Sequence, residues 1–416
     1  MKAGIGRRTA VTAALTIVGI AGGAGPARAQ RNAPVITISQ GAKELTEPFS
    51  LIRGLVELRD GRLLVFDSKE KELLLVDFAR DAQVPAAQVG AGPLEFNATG
   101  TLLRGATDSA VYYDILQRRL LVFTPDGKPA RTATYGGTDP LALLSLPQPS
   151  SIDAAGRVYG QTMGMRMPTG GLPGADGAMF ADTVVVSRYD FRAGRTDTVA
   201  RLLSMMAQSQ PRMEMTGAAM KITTTAPDFR PNDVWAALPD GSVAVLSGGN
   251  YRVRFITPGG REVLGPPVPH TLIPLTRAMR QAAMDSIRGA LAGVQSATGR
   301  AMAEAGARSG GGPPAMPKFE FEVTEPARWA SHLPPYGGIQ ASPDGLLWVS
   351  VPIGVGDRSG HHDVLDGSGA LIARVQFAPG ESLIGLGRGV VYTIRTDADD
   401  LQYLRRYALP APMARR

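Results

Sequence analysis

The sequence predicts an all-β fold, a six-bladed β-propeller with loop and helical insertions on one face. Two observations predict it. Pairs of short apolar strands around a turn recur six times, at 55–67, 105–114, 151–160, 236–246, 340–351 and 385–394. Each pair is followed by a third apolar strand and usually by a fourth, as at 73–78, 119–128 and 130–135. Six units of four strands are typical of sheets arranged radially around a channel.

The composition agrees with a fold that contains many turns. The chain has 416 residues, of which 50 are glycine and 32 are proline, and 44% are hydrophobic. This apolar content is enough for a large core and excludes global disorder. Cysteine is absent, which excludes disulfides, thiolate metal sites and a cysteine nucleophile.

The turns set the period of the repeat. The stretch L-V-E-L-R-D-G-R-L-L-V-F-D at 55–67 places Asp60-Gly61 between two apolar strands, which is a strong hairpin signal. Measured at Gly61 and its five equivalents, the spacings are 48, 47, 85, 104 and 44 residues. A four-stranded blade takes about 40–50 residues. The two long intervals therefore contain insertions.

Residues 1–29 have the features of a secretory signal peptide. A basic start with Arg7 and Arg8 precedes an apolar run at 10–21, and Ala27-Arg28-Ala29 has the small-x-small pattern of a cleavage site. The run is too short for a membrane span, which needs about 20 residues. We therefore expect a protein exported to the periplasm or beyond, with a propeller at 30–410 and a C-terminal tail at 411–416.

Charge gives no indication of a nucleic-acid partner. The formal net charge is +7, and it falls to +3 without the four cations of the signal peptide. No block of lysine and arginine resembles a binding stripe. The mature chain also has no second apolar stretch long enough to span a bilayer.

Closure of the ring is expected to use the N-terminus. The sixth unit supplies three strands before P-A-P-M-A-R-R at 410–416. The lone strand P-V-I-T-I-S at 34–39 could supply the missing outer strand of blade six. Closure of this kind hides sheet edges.

The stretch G-A-G-P-L-E-F at 90–96 is predicted to be a connector between blades one and two. A dinucleotide-binding loop would need a third glycine and a following helix, but Pro93 and a strand-like segment follow here. Exported bacterial six-bladed propellers related to the NHL-repeat group often carry G-x-G-P-x-E-F in this connector, together with D-G-x-(L/V)-x-V and F-x-x-x-G-(K/R) turns. This chain resembles them at Gly90–Phe96, Asp60-Gly61, Asp240-Gly241, Asp344-Gly345 and Phe123–Lys128. The resemblance implies the fold and not an activity.

Four insertions are expected on the same face of the ring. They are 163–182, 203–233, 265–335 and the loop 352–362. Each falls either between the second and third strands of a blade or between two blades, and these connections share a face. Loops grafted on one side of a rigid scaffold are typical of a binding surface, although tolerated drift would give the same pattern.

One insertion contains a predicted helix. Met279, Ala283, Ile287, Leu291 and Val294 form one apolar stripe, with Thr276 as N-cap and an end near residue 305. The helix could lie across the channel mouth, dock a partner or act as a lid.

Two groups of side chains are candidate metal ligands. Asp357, His361, His362 and Asp363 lie within eight residues and have suitable donor atoms, but a solvated polar loop would have the same sequence. Methionine is concentrated between 163 and 220, and Met163, Met165 and Met167 offer thioethers for Cu(I). Adaptable apolar contacts or plain packing are the alternatives for these methionines.

No catalytic motif is recognisable in the sequence. It contains neither G-x-S-x-G nor H-E-x-x-H. We therefore expect a non-enzymatic exported propeller that binds a small ligand or a protein partner on its inserted face. The alternatives are a hydrolase or lyase with a divalent metal in the central channel, and a Met-rich Cu(I)-binding protein.

Overall fold

A computed structural model describes residues 33–97, 99–135, 147–162, 164, 180–204, 206, 211–216, 219–309, 318–354, 360–410 and 413. The predicted signal peptide and nearly all of the insertion 163–182 lie outside these residues. The same holds for Asp357 and for Met163, Met165 and Met167. Their proposed roles therefore stay predictions.

Blades one to three are antiparallel sheets of four consecutive strands each. Blade one consists of Ile52–Glu57, Leu63–Asp67, Glu72–Asp77 and Ala82–Ala87. Blade two consists of Gly100–Arg104, Ala110–Asp114, Arg119–Phe123 and Pro129–Thr134. Blade three consists of Gln148–Ile152, Val158–Gln161, Thr183–Asp190 and Arg195–Leu203.

In blades four to six the consecutive strands also lie side by side, with the first strand innermost. Blade four consists of Val234–Ala237, Val243–Ser247, Asn250–Ile256 and Glu262–Pro267. Blade five begins with Ile339–Ala341, Leu347–Ser350, His362–Leu365 and Leu371–Phe377. Blade six begins with Glu381–Leu386, Val390–Thr396 and Gln402–Ala408.

The hydrophobic core shows that the ring is closed. Within the described residues it divides into six clusters, each of which lies between one pair of neighbouring blades. Blade six packs on blade one through Tyr392, Leu404, Leu63 and Val65. Because every blade buries apolar surface against two neighbours, the predicted six-bladed propeller is confirmed.

The strand predicted to complete blade six joins blade five instead. Val35–Ile38 pairs in parallel with Leu371–Phe377, the outer strand of blade five. The outer strand of blade six is supplied by Lys43–Glu44, which pairs antiparallel with Gln402–Ala408. The prediction for 34–39 was therefore wrong in its partner. An apolar strand of four residues can pair with either open edge, and its sequence does not distinguish the two.

The first turn of each blade lies on the face that we call the turn face. These turns are residues 58–62, 105–109, 153–157, 238–242, 342–346 and 387–389. Gly61, Gly156, Gly241, Gly345 and Gly389 have positive φ in five of them. A glycine adopts this conformation without the steric cost of a Cβ atom. The glycine positions in the sequence therefore mark this face.

The connector at 90–96 is confirmed as a link between blades one and two. Glu95 folds back and accepts a hydrogen bond of 2.7 Å from the Gly92 backbone N–H. A Cβ atom at Gly90 or Gly92 would overlap the Glu95 carboxylate. Arg119 donates to the carbonyl groups of Gly92 and Glu95 at 2.7 and 2.6 Å, and the Phe96 ring lies in the core. The two glycines therefore make room for a carboxylate of this chain.

The opposite side, which we call the inserted face, carries the long connections. Insertions 203–233 and 265–335 combine in a three-stranded sheet of Arg212–Thr216, Ala219–Thr225 and Lys318–Thr324. The last two strands are parallel. The helix predicted in the second insertion is confirmed at Arg277–Ser309, and it contacts Lys318–Thr324. Its Met279 N–H donates to Thr276 Oγ1 at 3.3 Å, as the predicted N-cap requires.

The structure also bears on membrane insertion. Throughout the part of the chain that is described, no helix is both long and apolar enough to span a bilayer.

Candidate functional site

A cavity of about 420 Å³ lies on the inserted face beside blade five. Its walls come from the segment between blades four and five and from the loop before the third strand of blade five. The apolar part of the wall is formed by Pro269, Ile273, Leu333, Pro352, Ile353 and Val375. We call it the blade-five pocket. A wall of this kind binds the carbon skeleton of a ligand through the hydrophobic effect.

A buried carboxylate forms the polar end of the blade-five pocket. Asp363 Oδ2 accepts a hydrogen bond of 2.9 Å from the Tyr251 hydroxyl, and Arg374 Nε lies 3.4 Å from Asp363 Oδ1. Burial raises the pKa of Asp363, although the Tyr251 hydroxyl and the Arg374 charge oppose the increase. Both carboxylate oxygens are therefore engaged by side chains of this chain.

Arg374 joins the two walls of the pocket. Its Nη2 donates a hydrogen bond of 2.6 Å to the Pro269 carbonyl, in the segment that enters from blade four. One third of the Arg374 side chain is exposed. The guanidinium is therefore fixed by Asp363 and Pro269 and still reaches the pocket surface.

Three histidines line the same pocket. His270 Nδ1 lies 3.1 Å from the Val268 carbonyl oxygen, and its ring lies 5.7 Å from the Tyr251 ring. His362 Nδ1 lies 2.9 Å from the Gly360 carbonyl oxygen. Burial lowers the pKa of His362, so this imidazole is neutral at pH 7. His361 lies beside it on the pocket wall.

The structure brings three of the four candidate ligands of the His-Asp loop into one pocket. His361, His362 and Asp363 line the blade-five pocket, whereas Asp357 lies outside the described residues. Among the residues that are described, no three His, Asp or Glu side chains are grouped as metal ligands. The Asp363 carboxylate oxygens contact Tyr251 and Arg374.

A second cavity of about 460 Å³ lies in the central channel and opens at the turn face. The ends of the inner strands and the first turns of the blades line it. Its charged lining consists of Arg104, Asp108, Asp153 and Arg388. Arg388 binds Asp108 directly, and Arg157 lies 2.7 Å from Asp153. Because a guanidinium accompanies each carboxylate, these lining residues do not fit a divalent cation.

The sequence analysis did not identify Tyr251, His270 and Arg374 as parts of one site. A signal was present for Tyr251, because the pattern of Asn250–Ile256 buries this residue and a buried tyrosine hydroxyl needs a partner. Asp363 lies in the fully buried strand His362–Leu365, and a buried carboxylate also needs a hydrogen-bond partner. The two residues are separated by 112 positions, so the sequence shows two unmatched polar groups and not their contact.

No protein-family model matches the sequence, and no curated protein matches it either. Solved structures do resemble it. A gluconolactonase from Xanthomonas campestris has 13% identity and a TM-score of 0.42, covering 88% of this chain and 89% of its own. A calcium-binding regucalcin from Agrobacterium tumefaciens has 14% identity and a TM-score of 0.40, with 92% and 100% covered. A virginiamycin B lyase from Staphylococcus aureus has 10% identity and a TM-score of 0.34, with 89% and 88% covered.

Proposed function

We propose that this chain is an exported, non-catalytic β-propeller that binds a small amphipathic ligand in the blade-five pocket. One observation carries the proposal. Two separate insertions meet in a cavity of about 420 Å³ that has an apolar wall and a polar end. Cavities of this size and composition are typical of small-molecule sites.

The chemistry of the polar end supports a ligand with an acidic or hydrogen-bond-accepting head. Asp363 contacts Tyr251 and Arg374, and the Arg374 charge compensates its carboxylate, so a cationic head would compete with Arg374. The Arg374 guanidinium and the His270 imidazole also line the pocket. Guanidinium and imidazole N–H groups donate hydrogen bonds, and the guanidinium is always charged.

The arrangement of the same groups supports binding rather than catalysis. An acid–base pair would need the imidazole and the carboxylate within hydrogen-bond distance. His362 Nδ1 contacts the Gly360 carbonyl, and Asp363 contacts Tyr251 and Arg374. The carboxylate therefore orients a guanidinium and not a general base.

The test uses the uncharged fluorescent probe N-phenyl-1-naphthylamine with the purified mature protein. We expect saturable binding, with displacement by decanoate at lower concentrations than by decanol, because Arg374 favours the carboxylate. Ile353→Asp places a charge on the apolar wall, where the side chain is 41% exposed, and should weaken probe binding by at least about tenfold.

The matched control is Leu264→Asp on the outer strand of blade four. Leu264 is also apolar and exposed, at 57%, but it does not line the pocket. Its variant should bind the probe as the unmodified protein does. The proposal is contradicted if Ile353→Asp and Leu264→Asp weaken probe binding equally. It is also contradicted if the unmodified protein shows no saturable probe binding.

A further inference from the structure

Charged side chains border the channel mouth at the turn face. Arg59 and Arg388 contact the Asp108 carboxylate, and Arg104 donates to the Glu57 backbone carbonyl. The carboxylates of Glu57 and Asp344 accept hydrogen bonds from the backbone N–H groups of Arg388 and Gly389. This cluster lies at the opening of the 460 Å³ channel cavity, on the opposite face from the blade-five pocket.

Asp108 is already engaged by two of these cations. Its carboxylate binds Arg388, and Arg59 Nε lies 3.7 Å from Asp108 Oδ2. Burial disfavours the charge of Asp108, but the hydrogen bond and charge of Arg388 outweigh this effect and lower its pKa. Asp108 is therefore ionised at neutral pH and held by Arg59 and Arg388.

Glu57 is engaged by neutral donors. Its carboxylate accepts hydrogen bonds from the Arg388 backbone N–H at 2.7 Å and from the Tyr392 hydroxyl at 3.0 Å. Glu57 and Asp108 both lie beyond ion-pair distance of Arg104. Within the described residues, Arg104 has no ion pair.

Arg104 is the cation that remains. It is half-buried and lines the cavity, and it donates one hydrogen bond, of 3.0 Å, to the Glu57 carbonyl. Burial lowers the pKa of Arg104, but a guanidinium keeps its charge in proteins. A partly buried charge is costly unless an anion accompanies it.

The cavity beyond Arg104 is suited to a small organic body. Leu102, Ile152, Ile339 and the Trp235 side chain line it, and Trp235 is positioned by a hydrogen bond of 2.8 Å to Gln161. Ser151, which also lines the cavity, has a buried hydroxyl without a hydrogen-bond partner among the described residues. A buried hydroxyl of this kind is normally satisfied.

We propose that the channel mouth binds a small monocarboxylate, with its carboxylate on Arg104 and Arg388 and its body in the channel cavity. The apolar lining by Leu102, Ile152 and Ile339 favours an organic carboxylate over inorganic phosphate. The planar guanidinium binds a carboxylate through paired hydrogen bonds. This site is independent of the blade-five pocket.

The experiment is calorimetric titration of the full mature protein with benzoate and, separately, with inorganic phosphate at low ionic strength. We expect saturable benzoate binding, with phosphate at least about tenfold weaker. Arg104→Gln and Arg388→Gln should each weaken benzoate binding by about tenfold or more. Asp108→Asn removes the competing carboxylate and should strengthen benzoate binding.

Arg254→Gln is the matched control, because Arg254 pairs with Glu262 at the outer edge of blade four, away from the channel. It should leave benzoate binding unchanged. If Arg104→Gln does not fold, Arg388→Gln alone tests the proposal. The Arg388 side chain is 46% exposed, and the hydrogen bond from the Arg388 backbone N–H to Glu57 does not depend on that side chain. No saturable benzoate binding, equal affinity in Arg388→Gln, or tighter binding of phosphate overturns the proposal.

Discussion

The two faces of the ring are built in different ways. On the turn face, each blade closes with a local turn of a few residues, and five of the six turns have a glycine with positive φ. On the inserted face, a helix and a three-stranded sheet come from insertions that lie far apart in the chain. Short-range chemistry therefore fixes one face, and long-range pairing builds the other.

This difference also separates the two cavities. The channel cavity is bordered by the short turns and carries fixed charges. The blade-five pocket is bordered by long connections, and its polar groups are joined across them by Tyr251, Asp363 and Arg374. A surface built from short turns can hold charges rigidly, whereas long connections can shape an apolar wall. Each face therefore provides the chemistry that its construction favours.

Two buried glutamates at opposite ends of the inner strands, and therefore on opposite faces of the ring, give the largest expected effect. Glu381 begins the inner strand of blade six and binds Arg405, the Tyr407 hydroxyl at 3.0 Å and the Thr393 hydroxyl at 3.0 Å. Glu57 ends the inner strand of blade one. Glu381→Ala removes the acceptor of the buried Tyr407 and Thr393 hydroxyls and one of the two carboxylates on Arg405, which keeps Glu44. We expect the free energy of unfolding to fall by about 2–4 kcal/mol.

Glu57→Ala is the comparison at the turn face. The Glu57 carboxylate accepts hydrogen bonds from the Arg388 backbone N–H and from the Tyr392 hydroxyl, and both donors are uncharged. The expected loss is about 1–3 kcal/mol, the cost of leaving such donors unsatisfied. Urea unfolding of both variants measures the difference. An equal or reversed order would show that partner charge does not decide the cost.

The glycines of the turn face give the next effect. Gly241 has φ +85°, and a Cβ atom there would lie 2.8 Å from Asp153 Oδ2 and would overlap Arg157. Gly61 has φ +83° with open space around it. We expect Gly61→Ala to lower the free energy of unfolding by about 1 kcal/mol through backbone strain alone.

Gly241→Ala should cost about 1–2 kcal/mol more, because it also disturbs the contact between two blades. That contact includes the Tyr159 hydroxyl, whose single proton lies between two acceptors, Asp153 Oδ2 and the Gly241 carbonyl oxygen, each 3.0 Å away. The measurement is the difference in midpoint between the two variants. If Gly61→Ala and Gly241→Ala lower the free energy of unfolding equally, the turns contribute to stability independently of the neighbouring blades.

The sequence predicts the blades because their signals are local. Asp60-Gly61 between two alternating strands is sufficient to define a hairpin, and the same pattern locates the other blades. The pairing of Ala219–Thr225 with Lys318–Thr324 joins segments about 100 residues apart, and no local signal fixes its register. The N-terminal strand Val35–Ile38 was misplaced for the same reason.

The candidate site follows the same rule. His361, His362 and Asp363 were candidate metal ligands because they are close in the chain, and that role stays a prediction. The structure shows that the three residues line one pocket. The contacts of Asp363 come from Tyr251 and Arg374. Sequence spacing therefore located the residues, but their partners, and with them the chemistry, required the three-dimensional arrangement.

The smallest expected effect concerns the charge balance at the channel mouth. The pKa of Asp108 is lowered, since its interaction with Arg388 outweighs the effect of burial. Its ionised form therefore stabilises the folded protein above the unfolded-state pKa of about 3.9, and this contribution is lost as the pH falls through the lower folded-state pKa. Asp108→Asn should lower the free energy of unfolding at pH 7 by less than about 1 kcal/mol, because Arg59 and Arg388 are largely exposed.

Asparagine tolerates the positive φ of 62° at this position, so the substitution isolates the charge. Urea unfolding from pH 7 to pH 2 should show a constant difference between the two proteins above about pH 5 and a shrinking one below about pH 4. High salt should reduce the difference at pH 7 by screening. A difference that persists unchanged at pH 2 would mean that Asp108 acts through turn geometry and not through its charge, and the turn face would then lose its electrostatic contrast with the inserted face.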